Sequence, residues 1–228
     1  NYVEMVLIPE RDRNTLCVSS QVGCALRCDF CSTGKQGFKA NLNTAEIVGQ
    51  LILANRHLSR EGKRVSNIVF MGMGEPLLNF EAVSSAINLF QDACAGGLLK
   101  RKVTLSTAGL VPGIMRMKET LDCSLAISLH APTDALRNVL VPVNRKYPIK
   151  DLLAAAGEYI ESKQSLRKLI IEYTLIEGVN DSPQDAAQLA DLLRSIKCKI
   201  NLIPFNTFGG SDYKSPKDQS VKAFQRRL

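Results

Sequence analysis

Short apolar runs alternate along the chain with longer stretches in which apolar residues recur at helical spacing. The short runs are typical of buried strands and the periodic stretches of amphipathic helices. Glycine, proline and capping residues mark the boundaries between them. The pattern predicts strands at 2–8, 16–19, 67–71, 102–107, 124–129, 168–176 and 199–203, and helices at 44–58, 80–92, 111–120, 133–140, 148–162, 183–196 and 216–228.

This alternation of strands and helices indicates parallel βαβ units. When the strand before the densest group of cysteines is counted as the first, the sequence contains six units, fewer than the eight of a closed (β/α) barrel. The predicted fold class is therefore α/β, an open, partial (β/α)6 TIM-like barrel. It occupies residues 1–228 as one domain, with residues 1–14 as a leading strand and turn. In such folds the chemistry lies at the carboxyl ends of the strands.

The composition bears on the cellular location of the protein and on its possible partners. The chain has 228 residues, a 45% hydrophobic share and no apolar run near the roughly 18 residues of a membrane span. No targeting segment is visible at the start, and a chain of this length buries a core without disulfides. We therefore expect a cytoplasmic protein with reduced thiols and no membrane contact. The net charge of +7 suits a nucleic-acid partner, and it suits solubility alone about equally well.

Three of the seven cysteines, Cys24, Cys28 and Cys31, form a C-x3-C-x2-C motif. A [4Fe–4S] cluster commonly takes four thiolates, so three leave one iron free for a small molecule. This spacing predicts a cluster that binds S-adenosylmethionine and splits it into a 5′-deoxyadenosyl radical. A zinc site is the first alternative, but the only histidines, His57 and His130, lie far from the motif, so a fourth ligand is missing nearby. Disulfides are the second alternative, and they belong to small exported chains.

Further polar groups follow the later strands and are expected to face the same mouth of the barrel. A carboxylate beside a glycine carbonyl suits the ammonium group of S-adenosylmethionine, hydroxyls suit its carboxylate or ribose, and an amide suits a ribose or adenine edge. Each group also has an ordinary structural use, as a solvated turn, a strand-end cap or a structural histidine. The candidates are Gly74, Glu75, Ser106, Ser128, His130 and Asn206.

Other residues near the motif have open roles. Phe30 lies between two of the motif cysteines, where an aromatic ring stacks on the cofactor's adenine or keeps water off the cluster. Cys17 is out of register with the motif and is a buried small hydrophobe or a redox thiol. Glu4 lies in a predicted strand, where a carboxylate normally faces water. The remaining cysteines, expected in the core, are Cys94, Cys123 and Cys198.

Five stretches of the chain resemble a known family: TLCVSSQVGCALRCDFCSTGKQGF, FMGMGEPLLN, VTLSTAG, AISLHAP and NLIPFN. They are similar, in the same order and over nearly the whole chain, to the RlmN/Cfr family of radical SAM RNA methyltransferases. The likeness is closer to the RlmN type, which has dual specificity, than to the Cfr type, which methylates carbon 8 of the same adenosine. A zinc-bearing RNA-binding module without catalysis is the alternative from another class.

The resemblance implies a radical SAM partial barrel that methylates carbon 2 of an adenosine in 23S ribosomal RNA and, in some members, transfer RNA. That carbon is electron-poor, so a radical route through a methylated cysteine is needed. A [4Fe–4S] cluster, S-adenosylmethionine and an electron donor such as flavodoxin are the implied cofactors and partners.

The resemblance also implies roles for individual residues. The three motif cysteines would ligate the cluster, Glu4 would accept the proton from carbon 2, and Cys17 would form the disulfide that releases the product. The implied contacts to S-adenosylmethionine are Gly74, Glu75, Ser106, Ser128, Leu129, His130 and Asn206.

Two parts of the family pattern have no match in this sequence. The methyl-carrying cysteine belongs to a stretch like AACGQL near the family's C-terminus, and nothing after Cys198 corresponds to it. The family's small N-terminal RNA-binding domain also lacks a counterpart. We therefore expect this polypeptide to bind the cluster and cleave S-adenosylmethionine without methylating RNA. For RNA phosphates, we expect contacts near the mouth from Arg11, Arg13, Lys35 and Lys39.

Overall fold

A curled sheet of seven strands forms the centre of the protein in a computed structural model, which describes residues 2–163 and 168–228. The strands are β1 Val6–Pro9, β2 Asn14–Cys17, β5 Asn67–Phe70, β6 Val103–Thr107, β7 Ser124–Ser128, β8 Leu169–Leu175 and β9 Cys198–Pro204. Their order across the sheet is β1-β2-β5-β6-β7-β8-β9. Six strands run parallel, and β1 pairs with β2 in the antiparallel sense at one edge. Two further short strands, β3 Gln21–Val22 and β4 Ala40–Asn41, form a separate pair.

Helices connect the parallel strands and cover the outer face of the sheet. They are α1 Ser32–Lys35, α2 Thr44–Leu58, α3 Phe80–Gln91, α4 Val111–Thr120, α5 Asp134–Leu140, α6 Ile149–Ser162, α7 Pro183–Leu193 and α8 Asp218–Arg227. None of the helices in the described residues is long and apolar enough to cross a bilayer.

Local sequence explains where the two best-defined helices begin. Asn43 accepts a hydrogen bond from the Glu46 N–H while the Glu46 carboxylate accepts one from the Asn43 N–H, which forms a capping box at the start of α2. Ser182 and Asp185 form the same arrangement at α7, with Pro183 in the first turn. Both caps are visible in the sequence because they depend on residues three positions apart.

The partial (β/α)6 barrel predicted from the sequence is confirmed, since six parallel strands alternate with helices in the expected order. The main differences concern the first strand and three short elements. The first strand is shorter than residues 2–8 and lies antiparallel at the edge. The pair β3–β4 and the one-turn helix α1 were not predicted, because segments of two to four residues carry no periodic signal.

Apolar residues are buried in two separate groups. The larger group, the main core, lies between the sheet and its helices and includes Leu105, Ile127 and Phe90. The smaller group, which we call the mouth cluster, lies at the carboxyl ends of the strands. It consists of Ala108, Ala131, Leu140, Val141, Ile176 and Phe205. The cysteine loop packs against this second group, so the mouth of the barrel has its own apolar support.

Candidate cofactor site

The cysteine loop leaves the end of β2 and is closed at its base by the pair β3–β4. Gly23 has φ +74°, and a Cβ there would lie 1.7 Å from the Gly37 carbonyl oxygen. That same oxygen accepts a hydrogen bond of 3.2 Å from the Cys24 N–H. Any side chain at Gly23 would therefore force the two ends of the loop apart.

Contacts from distant segments hold the loop against the mouth cluster. The Asp29 N–H donates to the Leu140 carbonyl at 3.0 Å, and the Asp29 carboxylate accepts a hydrogen bond from the Tyr213 hydroxyl. The Lys35 ammonium donates to the Gly210 carbonyl at 2.6 Å. The segment after β9 is thus bonded to the cysteine loop at two positions.

A cavity of about 260 Å³ lies between this loop and the strand ends. All three motif cysteines line it, together with five of the seven residues implied to contact S-adenosylmethionine. The lining also includes residues that sequence reasoning did not select, among them Met71 and Glu172. The five implied residues are Gly74, Glu75, Ser106, Ser128 and His130.

The chemistry of the three thiols suits a cationic iron cluster. Burial raises the pKa of the Cys28 thiol to about 12, and the nearby Cys31 and Cys24 raise it further in the same direction. Burial also raises the pKa of Cys24. Thiolates this close repel one another, so a positively charged group between them would stabilise all three. These residues fit a cluster held by soft thiolate ligands.

The arrangement does not match a site for one ion. Within residues 2–163 and 168–228, no three His, Cys, Asp or Glu side chains converge on a position that could hold a single metal ion. A cluster distributes its cysteine ligands over separate iron atoms, so its thiolates do not share one bonding point.

Glu75 is the more deeply buried of the two carboxylates on the cavity wall. Its oxygens accept hydrogen bonds from the N–H groups of Leu77 at 3.1 Å and Ala108 at 2.8 Å. Burial raises its pKa to about 7 despite these bonds. Gly74 has φ +98°, and a Cβ there would lie 2.5 Å from the Gln21 side chain. The loop thus presents a desolvated carboxylate, the group that an ammonium ion would stabilise most.

Hydroxyl and carboxylate groups continue along the inner wall. The Ser106 and Ser128 hydroxyls lie 3.3 Å apart, on neighbouring strands. Ser128 is in register with Glu172 on β8, and Glu172 accepts a 2.7 Å hydrogen bond from the Asn201 side chain. Glu172 was not predicted as a site residue, because no sequence motif distinguishes it from other strand residues.

His130 has a left-handed backbone, φ +60°, which is uncommon outside glycine. Its Nδ1 accepts the Thr174 N–H at 3.0 Å, and burial lowers its pKa to about 3. The ring is therefore neutral and carries its proton on Nε2. Phe30 packs edge-on against this ring at 4.6 Å between centroids, so Phe30 forms part of the wall beside the cysteines.

Four of the implied residues lie outside the cavity lining. The Leu129 side chain is buried in the main core, and its backbone N–H and carbonyl bond to Glu172 and Arg137. Asn206 is exposed on the loop after β9. Cys17 is half-buried at the end of β2, and Glu4 is exposed near the same edge, where its carbonyl accepts a hydrogen bond from Ser19.

The predicted position of two basic residues is wrong. Arg11 and Arg13 lie in the turn between β1 and β2, and because β1 is antiparallel, this turn is at the amino end of β2, away from the mouth. Arg13 is also paired with Glu10. Lys35 and Lys39 are exposed on the segment that carries the cysteines, as predicted.

The barrel and its cysteine-lined cavity define the class of the protein. The sequence model of the Radical SAM superfamily matches residues 18–190, which is most of the chain. The chain belongs to the radical SAM superfamily. Members of this superfamily use a [4Fe–4S] cluster and S-adenosylmethionine, so the cofactor prediction is confirmed for the family.

Closer relatives sharpen this assignment. The chain is 56% identical over 225 residues to the dual-specificity RNA methyltransferase RlmN of Vesicomyosocius okutanii, which covers 99% of this chain and 63% of the relative. It is 55% identical over 231 residues to RlmN of Marinobacter nauticus, again with 63% of the relative covered. The resemblance to RlmN enzymes is thus confirmed, and the chain spans less than two thirds of their length.

Solved structures agree with the sequence comparison. A radical SAM methyltransferase from Sphaerobacter thermophilus is 43% identical and superposes with a TM-score of 0.95, covering 99% of this chain and 66% of that chain. Streptococcus suis SuiB bound to S-adenosylmethionine has a TM-score of 0.64 at 14% identity, covering 92% of this chain and 46% of that one. This second likeness shows the shared fold only.

Proposed function

We propose that this chain is the catalytic core of an RlmN-type RNA methyltransferase. In this proposal Cys24, Cys28 and Cys31 hold a [4Fe–4S] cluster, and S-adenosylmethionine binds its open iron. The observation that carries the proposal is the single cavity that these cysteines share with the buried carboxylate of Glu75 and the polar strand ends. The similarity to enzymes named RlmN over the whole chain supports the same conclusion.

The residues on the cavity wall would bind and orient the cofactor. Glu75 and the Gly74 carbonyl would accept hydrogen bonds from its ammonium, while Ser106 and Ser128 would bond its carboxylate or ribose. His130 and Phe30 would exclude water beside the cluster. When bound, the cluster supplies the electron that cleaves the sulfonium–carbon bond. An electron donor such as flavodoxin would reduce it, in the cytoplasm.

The substrate in this proposal is carbon 2 of an adenosine in 23S ribosomal RNA and in transfer RNA. The target base would leave its stack to reach the buried site. Glu4 and Cys17 would act there as proton acceptor and disulfide-forming thiol. Glu4 precedes β1 and Cys17 ends β2, on the same side of the sheet as the cysteine loop, which supports these proposed roles.

The test begins with anaerobic purification and reconstitution of the chain with iron and sulfide. We expect a brown protein that binds several irons and converts S-adenosylmethionine to 5′-deoxyadenosine under reducing conditions. A colourless protein with one zinc would contradict the proposal. A second assay adds ribosomal or transfer RNA. We expect no methylated adenosine from this polypeptide, because its sequence has no counterpart of the methyl-carrying cysteine.

The same test applied to a longer chain that includes such a cysteine distinguishes the two methylation sites. We expect 2-methyladenosine by mass spectrometry of digested RNA. Detection of 8-methyladenosine alone would assign the chain to the Cfr type instead.

A further inference from the structure

Arg137 is a fully buried arginine that no cofactor motif includes. It lies on α5 and is 0% exposed. Its guanidinium donates to the carbonyls of Leu129 at 2.9 Å, Ala108 at 2.6 Å and Ser128 at 3.0 Å, and to the Asn144 side-chain oxygen at 2.7 Å. These bonds tie together the ends of β6 and β7, directly beside the cavity.

Every acceptor of this guanidinium is a neutral oxygen. In the part of the chain that the structure describes, Arg137 forms no hydrogen bond to a carboxylate, and Asp134, which accepts a bond from the Asn144 amide, acts on it through its charge alone. Burial lowers the pKa of Arg137 to about 10, which still leaves it charged at neutral pH. Burying a charge that is not hydrogen-bonded to a counterion lowers the stability of the fold. This cost indicates that the charge of Arg137 has a function.

The cysteine loop lies within the electrostatic reach of this charge. Cys28 packs against the mouth cluster, and the Asp29 N–H bonds to Leu140, three residues after Arg137 on the same helix. The guanidinium donates to the carbonyls of Ala108 and Ser128, and both residues line the same cavity as Cys28. The guanidinium is therefore a positive charge fixed behind one of the cluster ligands and shielded from water.

We propose that Arg137 tunes the cluster, raising its reduction potential by stabilising the additional negative charge of the reduced state. The inference rests on the proposed function, because it requires the cluster at Cys28. Reduction transfers one electron from an external low-potential donor, breaks no bond and adds one unit of negative charge to the cluster. Net charge and burial set the potential of such clusters, and a positive charge acts more strongly in a low-dielectric site than in water.

The experiment is a potentiometric titration of the reconstituted chain, followed by electron paramagnetic resonance of the reduced cluster. Arg137→Gln removes the charge but keeps a side-chain donor. Arg137→Lys keeps the charge but loses the fork of donors. Asp134→Asn removes the opposing charge, and its amide oxygen can still accept the Asn144 and Ile149 bonds. Arg116→Gln, an exposed arginine on α4, is the matched control.

We expect Arg137→Gln to shift the reduction equilibrium toward the oxidised cluster by about tenfold, which is about 59 mV for one electron. Arg137→Lys should stay close to the parent. Asp134→Asn should shift the equilibrium in the opposite direction and by less, since Asp134 is exposed. Arg116→Gln should leave it unchanged.

A purely structural arginine would give a different result. It would lower stability or cofactor affinity in both Arg137 variants and leave the potential unchanged in every loaded protein. Unchanged potentials in Arg137→Gln and Asp134→Asn would overturn the proposal. If Arg137→Gln fails to fold, an upward shift in Asp134→Asn supports the proposal and an unchanged value overturns it. A parent chain that binds no cluster would instead refute the proposed function.

Discussion

The main core and the mouth cluster are both apolar, but they differ in size and in the residues that surround them. The main core consists of buried residues from β2, β5, β6, β7, β8 and most helices, while partly buried side chains of β9 pack against it. Strand β6 is buried along its whole length. This burial on both faces is typical of a parallel sheet covered by helices. The mouth cluster is small, and the residues packed around it include Cys28, Phe30 and Tyr213.

The difference is greatest in the polar groups that each region contains. Beside the mouth cluster lie the buried charge of Arg137, the carboxylate of Glu75 and the thiol of Cys28. Desolvation of such groups opposes folding. We infer that the main core supplies most of the free energy of folding. The buried polar groups at the mouth lower stability, and they are the groups that the proposed chemistry uses.

The largest expected effect separates a cysteine of the mouth from one of the main core. Cys28→Ser should abolish nearly all iron binding, because one cluster ligand is lost. Cys123→Ser, at a position that is 0% exposed in the main core, should retain iron and lower only stability. Iron and sulfide analysis after anaerobic reconstitution measures this, with circular dichroism as a check of folding. Full iron content in Cys28→Ser would show that this cysteine is not a ligand.

A matched pair of leucine truncations compares the stability of the two regions. Leu105 and Leu140 are both 0% exposed. Each change to alanine should lower the free energy of unfolding by about 2–5 kcal/mol, with Leu105→Ala at the upper end because the main core cannot collapse around the cavity. Urea denaturation measures the difference.

The same pair also differs in its effect on the cluster. Leu140→Ala should speed loss of the cluster in air, since the Leu140 side chain belongs to the mouth cluster against which Cys28 packs. Leu105→Ala should not change that rate. Equal rates in both variants would mean that the mouth cluster does not support the loop.

A smaller effect is expected for the buried carboxylate of the cavity. Glu75→Gln should weaken binding of S-adenosylhomocysteine by roughly ten- to hundredfold, because a hydrogen bond to a charged group contributes about 1.5–3 kcal/mol. Calorimetry on the cluster-loaded chain measures the affinity. The exposed Glu81→Gln is the control and should bind as the parent does. An unchanged affinity in Glu75→Gln would limit Glu75 to its bonds with Leu77 and Ala108.

The smallest expected effect is on RNA affinity, and it compares basic residues at the two ends of the barrel. Lys39→Ala, on the segment that carries the cysteines, should weaken RNA binding severalfold and reduce the salt slope by about one. Arg11→Ala, at the opposite end, should change neither. Fluorescence anisotropy at several salt concentrations measures both. A larger loss in Arg11→Ala would place the RNA surface away from the mouth.

The sequence by itself determined the repeating architecture and the cysteine motif. Six parallel strands were predictable because apolar periodicity and capping residues act within a few positions of one another, as at Asn43 and Glu46. The motif at Cys24, Cys28 and Cys31 was readable for the same reason, since spacing along the chain sets the distance between ligands. The strand-end rule then placed Glu75 and Ser128 at the same cavity.

Tertiary structure alone decided which residues share a site when they are distant in sequence. Because β1 is antiparallel to β2, Arg13 lies at the end of the sheet opposite the mouth. The Leu129 side chain is buried in the main core and does not face the cavity. Arg137 and Glu172 lie beside or in the cavity, and no local sequence pattern predicts either position. The physical reason is that burial and charge depend on neighbours from other strands, and only the packed chain brings those neighbours together.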